Sequence, residues 1–188
     1  TLLISRLGND NFKDYAIGIW EKMGINYLIS IDRKNPTGKA GIFIDNKTAE
    51  NSVIVDPGAA LKLNLRDFTS NQHLYREGDI FLTQFEQAPE TTISVLKKAK
   101  EKNLLTIFNP APFNKIKKDV FKYCNIITPN QVEAEQITGL ELKGKSDIKK
   151  AMFKIADLGV PKIIITLGKK GAVVFEKNKI FYSPGKSF

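Results

Sequence analysis

One cysteine, one histidine, one tryptophan and two methionines are all that 188 residues hold of those types. A single thiol, Cys124, excludes an intrachain disulfide and leads to the expectation of a reducing, cytoplasmic compartment. A single imidazole excludes a multi-histidine metal centre. That imidazole, His73, sits among polar Ser70, Asn71 and Gln72 and reads as an exposed loop residue. Long apolar runs are missing too: none approaches the length of a membrane span, and no signal-peptide pattern opens the sequence, so no membrane partner is expected. Acidic residues are in the minority, 20 Asp+Glu against 29 Lys+Arg, for a net charge of +9. The lysines are scattered in pairs at 97–98, 117–118, 149–150 and 169–170, beside acidic residues and without interleaved aromatics. Such pairs read as solvated helix faces, not as a nucleic-acid surface. Attraction of an anionic small substrate such as a nucleotide is compatible with them.

What is present is a hydrophobic fraction of 42%, enough for one sizeable core with a small appended lobe. Thr1-Leu2-Leu3-Ile4 reads as the middle of a strand, and Pro184-Gly185-Lys186-Ser187-Phe188 follows directly on a hairpin. The expectation is a fragment of a larger domain. Phe12, Tyr15, Ala16, Ile19, Trp20 and Met23 recur at helical spacing, predicting an amphipathic helix that opens at Asn9-Asp10-Asn11 and stops at Gly24. Three short apolar runs follow, 27–31, 40–44 and 52–55, separated by turn residues and with no helix between them. They predict a three-stranded antiparallel flap.

Beyond residue 65 the pattern changes to alternation of strands and helices. Strands are predicted at 79–85, 104–108, 124–127 and 162–166, and a hairpin joins 172–175 to 180–182. Helices are predicted at 90–102, 115–121 and 130–137, with a further one capped by Ser146 whose inner face is Ile148, Ala151, Met152, Ile155 and Ala156. This order predicts an α/β fold with a parallel sheet covered on both faces, its ligands at the carboxyl ends of the strands.

Four motifs fall at that edge. Asn130 and Glu133 stand three apart at a helix start; the spacing serves equally as a capping box or as an amide and carboxylate presented to phosphates and their metal ion. Asn109-Pro110-Ala111-Pro112 follows a strand, where prolines stiffen a turn and Asn109 is the polar candidate. Thr166-Leu167-Gly168-Lys169-Lys170-Gly171 is a glycine turn that either joins the hairpin or admits a ligand close to backbone. Its spacing is not that of a Walker phosphate loop. Glu86 ends the strand Ile80-Phe81-Leu82-Thr83-Gln84-Phe85, as a surface carboxylate or a hydrogen-bond acceptor for a polyol. Cys124, inside a buried strand and without a nearby histidine, reads as core packing.

The order of these motifs is more specific than any one of them. Gln84-Phe85-Glu86, Phe108-Asn109-Pro110-Ala111-Pro112, Thr128-Pro129-Asn130-Gln131-Val132-Glu133 and Thr166-Leu167-Gly168-Lys169-Lys170-Gly171 resemble, in sequence order, motifs of the phosphofructokinase-B (PfkB) carbohydrate kinases, and within them the ribokinase branch. Gly8-Asn9-Asp10-Asn11-Phe12-Lys13-Asp14 resembles the family's entry to a helix, with Lys13 at a usual glycine, and Gln131 stands where Glu is commoner. Thr37-Gly38 and its flanking strands resemble the β lid over the sugar.

The resemblance implies a ribokinase-like three-layer α/β/α sandwich with a small antiparallel β lid. Residues 1–26 would begin the core, 27–56 form the lid and 57–188 supply the nucleotide-side half. It implies ATP-dependent phosphorylation of D-ribose to D-ribose 5-phosphate, with Mg²⁺ and, for the complete enzyme, K⁺. Substrate binding falls to Glu86, Thr37 and Gly38, and nucleotide binding to Asn130, Thr166, Gly168 and Gly171. Metal contact through water falls to Glu133 and Asn130, with Asn109 in support. A homodimer through the lid is implied as well. The family's catalytic Asp, in a Gly-Ala-Gly-Asp motif, and its Gly-Gly-Lys-Gly sugar segment have no counterpart in the 188 residues, so the base is expected beyond Phe188 and the chain alone is expected to be inactive. Fructokinase, nucleoside or adenosine kinase, and a truncated binding or dimerising paralogue remain as alternatives.

Overall fold

The computed structural model describes residues 1–48, 51–113 and 118–185. The chain divides into two units, Thr1–Gln72 with Glu86–Thr91, and His73–Phe85 with the described residues from Thr92 onward.

In the first unit, β1 (Leu2–Gly8), α1 (Asn11–Lys22) and β2 (Asn26–Asp32) form a strand–helix–strand crossover, with Leu2 opposite Asn26 and Gly8 opposite Asp32. Asp10 caps α1, its carboxylate accepting from the Lys13 N–H at 3.1 Å. Gly24, at φ 67°, turns the chain back. The sequence predicts residues 27–31 as part of an antiparallel flap; they pair in parallel with β1 instead. The reason lies upstream: a helix between two strands carries the chain back to the end at which the first strand began, so the second runs parallel to it. The apolar stripe of α1 also departs from expectation. No residue of α1 is fully buried. Ala16, Ile17 and Trp20 are partly covered, whereas Phe12, Tyr15 and Met23 are 56, 71 and 67% exposed. Apolar residues circle more of this helix than one strand pair covers.

β3 (Lys39–Ile44) and β4 (Asn51–Asp56) make an antiparallel ribbon in which every residue is exposed. The short α2 (Leu65–Thr69) is capped by Asn64, whose N–H donates in return to Asp67. Both carboxylate oxygens of Asp67 also accept from one Arg6 nitrogen, Nη2, at 2.9 Å, and the Ser30 hydroxyl donates to Oδ1. Burial works to raise the Asp67 pKa, but the bonds from Ser30 and Arg6 outweigh it and hold the carboxyl below its usual value.

The second unit is a six-stranded sheet in the order β10-β9-β8-β7-β6-β5. Its strands are β5 (Ile80–Thr83), β6 (Leu105–Phe108), β7 (Ile126–Ile127), β8 (Lys162–Thr166), β9 (Ala172–Glu176) and β10 (Lys179–Ser183). β5 to β8 are mutually parallel, and β9 and β10 close the sheet as an antiparallel hairpin. The helices are α3 (Pro89–Glu101), α4 (Gln131–Thr138) and α5 (Lys145–Ala156). Leu96, Ala134, Ile137, Ala151, Met152 and Ile155 pack against Phe108, Ile127, Ile163, Ile165, Val173 and Phe175 in one cluster. The strand members of that cluster stand opposite one another in register, hence on one face. Strands added in one direction with right-handed crossovers put their helices on the same side. On the other face, Ile107, Ile126, Ile164 and Val174 are partly covered, and Ile80 and Leu82 of the edge strand β5 are 65 and 60% exposed.

Two local details differ further. Ser146 lies inside the first turn of α5; the cap position is Gly144, whose N–H donates to Asp147 at 3.2 Å. Of the helix predicted at 115–121, residues 115–117 lie outside the described residues, and Lys118–Tyr123 is a 3-10 helix. Cys124 is buried, and burial pushes its thiol up to about 12. His73 is exposed, as expected. No helix of the described residues is long and apolar enough to cross a membrane.

Candidate active site

The carboxyl ends of β5 to β8 are tied together by their own backbone. After β5, the Phe85 N–H donates to Ala111 O at 2.9 Å, and the Asn109 N–H donates back to Thr83 O at 3.0 Å. The Asn109–Pro112 turn is thereby fixed beside the β5 terminus. After β6, Phe108 O accepts from the Thr128 N–H; after β7, Pro129 O accepts from the Thr166 N–H, both at 3.0 Å. Asn130 and Thr166 form an isolated parallel bridge. The α4 start and the Thr166–Gly171 turn are therefore neighbours by main-chain bonds.

At that start the capping box exists in full. Asn130 Oδ1 accepts from the Glu133 N–H at 2.9 Å, and the Asn130 N–H donates to Glu133 Oε2 at 2.8 Å. Asn130 Nδ2 adds a third bond, to Glu133 Oε1 at 2.9 Å. Glu133 is 7% exposed while Asn130 is exposed, so Glu133 is held behind an amide that bonds it through both its oxygen and its nitrogen. Both oxygens of Glu133 are already engaged, and the described residues contain no group of three His, Cys, Asp or Glu that could hold a metal. The donor set fits a cation that keeps its water shell and meets protein through water, which is the habit of Mg²⁺.

The glycine turn is shaped for close approach. Gly168, at φ 56°, has open space where a side chain would be. At Gly171 (φ 93°) a Cβ would stand 2.0 Å from Ser183 O, so only glycine fits. Lys169 and Lys170 are exposed on this turn and give the edge positive charge.

This edge brings together Asn109, Asn130, Glu133, Thr166, Gly168 and Gly171. Glu86 is exposed and opens the segment Glu86–Thr91 that belongs to the first unit, as do Thr37 and Gly38. Thr37 is 5% exposed and its polar atoms are engaged: Oγ1 donates to Asp10 at 2.7 Å and accepts from the Gly8 N–H at 3.0 Å, and its N–H donates to Asp10 at 2.7 Å. Sequence reading gave Asp10 only a place at a helix entry. The sole signal for its second partner was the resemblance of Gly8-Asn9-Asp10 to a family motif.

The family model for pfkB carbohydrate kinases matches residues 1–186. The chain belongs to the pfkB family of carbohydrate kinases. Among relatives of this pfkB chain, the bifunctional ribokinase/ribose-5-phosphate isomerase A of Fructilactobacillus sanfranciscensis is 31% identical over 175 residues, covering 92% of this chain and 32% of its own. The crystal structure of Thermotoga maritima ribokinase superposes with a TM-score of 0.80 at 33% identity, covering all of this chain and 60% of its own. Arabidopsis thaliana ribokinase, solved with ribose and ATP, gives a TM-score of 0.80 at 25% identity, covering 98% and 61%. This pfkB chain thus spans about a third of the bifunctional relative and about 60% of the two ribokinases.

Proposed function

We propose that these residues form the nucleotide side and the lid of an ATP-dependent sugar kinase, acting on D-ribose at its 5-hydroxyl. The observation that carries this reading is the main-chain tie between Pro129 and Thr166, which sets the exposed Asn130 and its partner Glu133 beside the strand end that leads into the Gly168–Gly171 turn. Phosphoryl transfer asks little covalent chemistry of a protein; it needs placement and opposing charge. The Thr166–Gly171 turn would let the nucleotide lie against backbone, and Lys169 and Lys170 would attract its phosphates. Asn130 would orient them, and Glu133 would hold Asn130 and the outer waters of Mg²⁺. Bound Mg²⁺ supplies neutralisation of phosphate charge. Glu86 would accept from a sugar hydroxyl, Gly38 would line the sugar side, and the β3–β4 ribbon would exclude water from the transfer. K⁺ is expected of the complete enzyme, without an assigned residue here.

No described carboxylate is assigned as the base that takes the hydroxyl proton. A positioned base is worth about 10²–10⁴ in rate. A coupled ADP-release assay with Mg²⁺, K⁺, ATP and D-ribose tests the reading: no turnover by the 188-residue chain, turnover by the complete kinase. Turnover by the chain alone would show that a carboxylate within it serves as base. A complete kinase that rejects ribose but accepts deoxyribose, fructose or a nucleoside would retain the family and refute the substrate.

The ribbon favours a partner as well. Ile42, Phe43, Ile44, Val53, Ile54 and Val55 are 50–67% exposed, which suits a second copy of the same ribbon. Light scattering should then return twice the monomer mass, falling to the monomer in Phe43→Lys. A monomer at all concentrations excludes this partner.

A further inference from the structure

The β3–β4 ribbon leaves and re-enters the first unit through two segments, 36–38 and 57–59, that are packed as tightly as the ribbon itself is bare. The Ala59 N–H donates to Pro36 O at 2.7 Å, and Ala59 is fully buried. A Cβ on Gly58 would stand 2.3 Å from Pro36 O, and one on Gly38 2.6 Å from Pro57 O. A Cβ on Gly8, at the end of β1, would stand 2.4 Å from the Thr37 N. The two segments therefore touch each other and the end of β1 backbone to backbone. Into this knot reaches one carboxylate. Asp10 Oδ1 accepts from the Lys13 N–H, capping α1, and from the Thr37 hydroxyl, while Oδ2 accepts from the Thr37 N–H. The Thr37 oxygen in turn accepts from the Gly8 N–H. Beyond the knot the ribbon residues are exposed, with Lys39 Nζ 5.9 Å from the exposed Phe12 ring and 3.9 Å from Asp56.

We propose that Asp10 is a positioning residue: its two oxygens latch the root of the ribbon to the start of α1, so that the ribbon is carried as an arm with a fixed base. Any swing of the arm is then confined to the junctions at 38–39 and 56–57, outside the latch. Thr37 serves the latch, not a ligand. The same bond acts on the carboxyl, the Thr37 hydroxyl being the largest influence holding the Asp10 pKa below its usual value. The use of the arm as a lid rests on the kinase reading; the latch does not.

Capping and latching separate by chemistry. Serine caps a helix about as well as aspartate, but Asp10→Ser has one oxygen and a shorter reach. Thr37→Val removes the hydroxyl and keeps the shape, while Thr37→Ser keeps the hydroxyl. Spin labels on Lys22→Cys and Lys47→Cys, both exposed positions, report the arm against α1, with Cys124 buried and unreactive. The distance distribution is expected to roughly double in width in Asp10→Ser and in Thr37→Val, and to stay as in the parent in Thr37→Ser. Unchanged width in Thr37→Val or in folded Asp10→Ser overturns the latch, as does equal broadening in Thr37→Ser. A loosened arm in a protein whose complete form phosphorylates no sugar keeps the latch and removes the kinase reading. An unaltered arm in an active kinase does the reverse.

Discussion

The two units of this chain are held by different physics. Among the described residues, the first buries three apolar side chains, Leu7, Ala59 and Phe68. The second buries nineteen in one continuous cluster. The first compensates with directional bonds: Arg6 Nη2 and the Ser30 hydroxyl onto Asp67, and the Thr37 hydroxyl onto Asp10. Burial tolerates small shifts because it is not directional. An ion pair does not, because losing one partner leaves the other desolvated and unmatched. The second unit is the sturdier scaffold and carries the Asn130 and Thr166–Gly171 edge. The first is specified by geometry and carries the exposed β3–β4 ribbon.

That contrast is easiest to break from the apolar side. Phe108 is fully buried, edge-on to Phe85 with ring centroids 4.7 Å apart. Phe108→Ala should cost about 3–5 kcal/mol, read as a fall in the denaturant midpoint of the second unit. A cost under about 1 kcal/mol would mean that the cluster does not act as one core. Next comes Arg6→Met, which strands Asp67. The Arg6 side chain is 20% exposed, so solvent softens the loss, and about 2 kcal/mol is expected. Faster amide exchange in β1 and β2 with β8 unchanged checks it; equal effects in both units would dissolve the distinction.

The smallest effect is acid lability. Asp10 is held low chiefly by the Thr37 hydroxyl, Asp32 by the Lys34 N–H, and Asp67 by Ser30 and Arg6 against its burial. Groups depressed by folding contribute stability above their unfolded pKa, and that contribution is lost as pH falls through the folded value. The window therefore opens near pH 4 and extends downward. Exchange in β1 and β2 should rise there before exchange in β8 and β9. Simultaneous loss would show that the carboxylates are incidental to the first unit.

The sequence was most readable where one periodicity ran against one neighbour. Ile148, Ala151, Met152 and Ile155 marked the buried face of α5, and Lys162–Thr166 is a strand as its apolar run suggested. The Asn130–Glu133 spacing left a capping box and a phosphate-facing pair as equal readings, and the structure contains the capping box. Legibility failed where the outcome depended on distant partners. The run 27–31 reads identically for a parallel or an antiparallel neighbour, and β1 decided it. The α1 stripe announced a helix but not how little would cover it. Asp10 and Thr37 lie 27 positions apart, and nothing local in either predicts that a candidate ligand contact is consumed by a carboxylate.

The touching roots of the ribbon also have a meaning for chain topology. The ribbon departs from and returns to one point, where Lys39 stands opposite Asp56 and the Ala59 N–H donates to Pro36 O. A loop whose ends already meet changes length cheaply, about 0.6 kcal/mol for each doubling. The ribbon is in that sense a cassette. It can be shortened, extended or exchanged while β1, α1 and β2 keep their places, so the ribbon can diversify without rebuilding the frame that carries it.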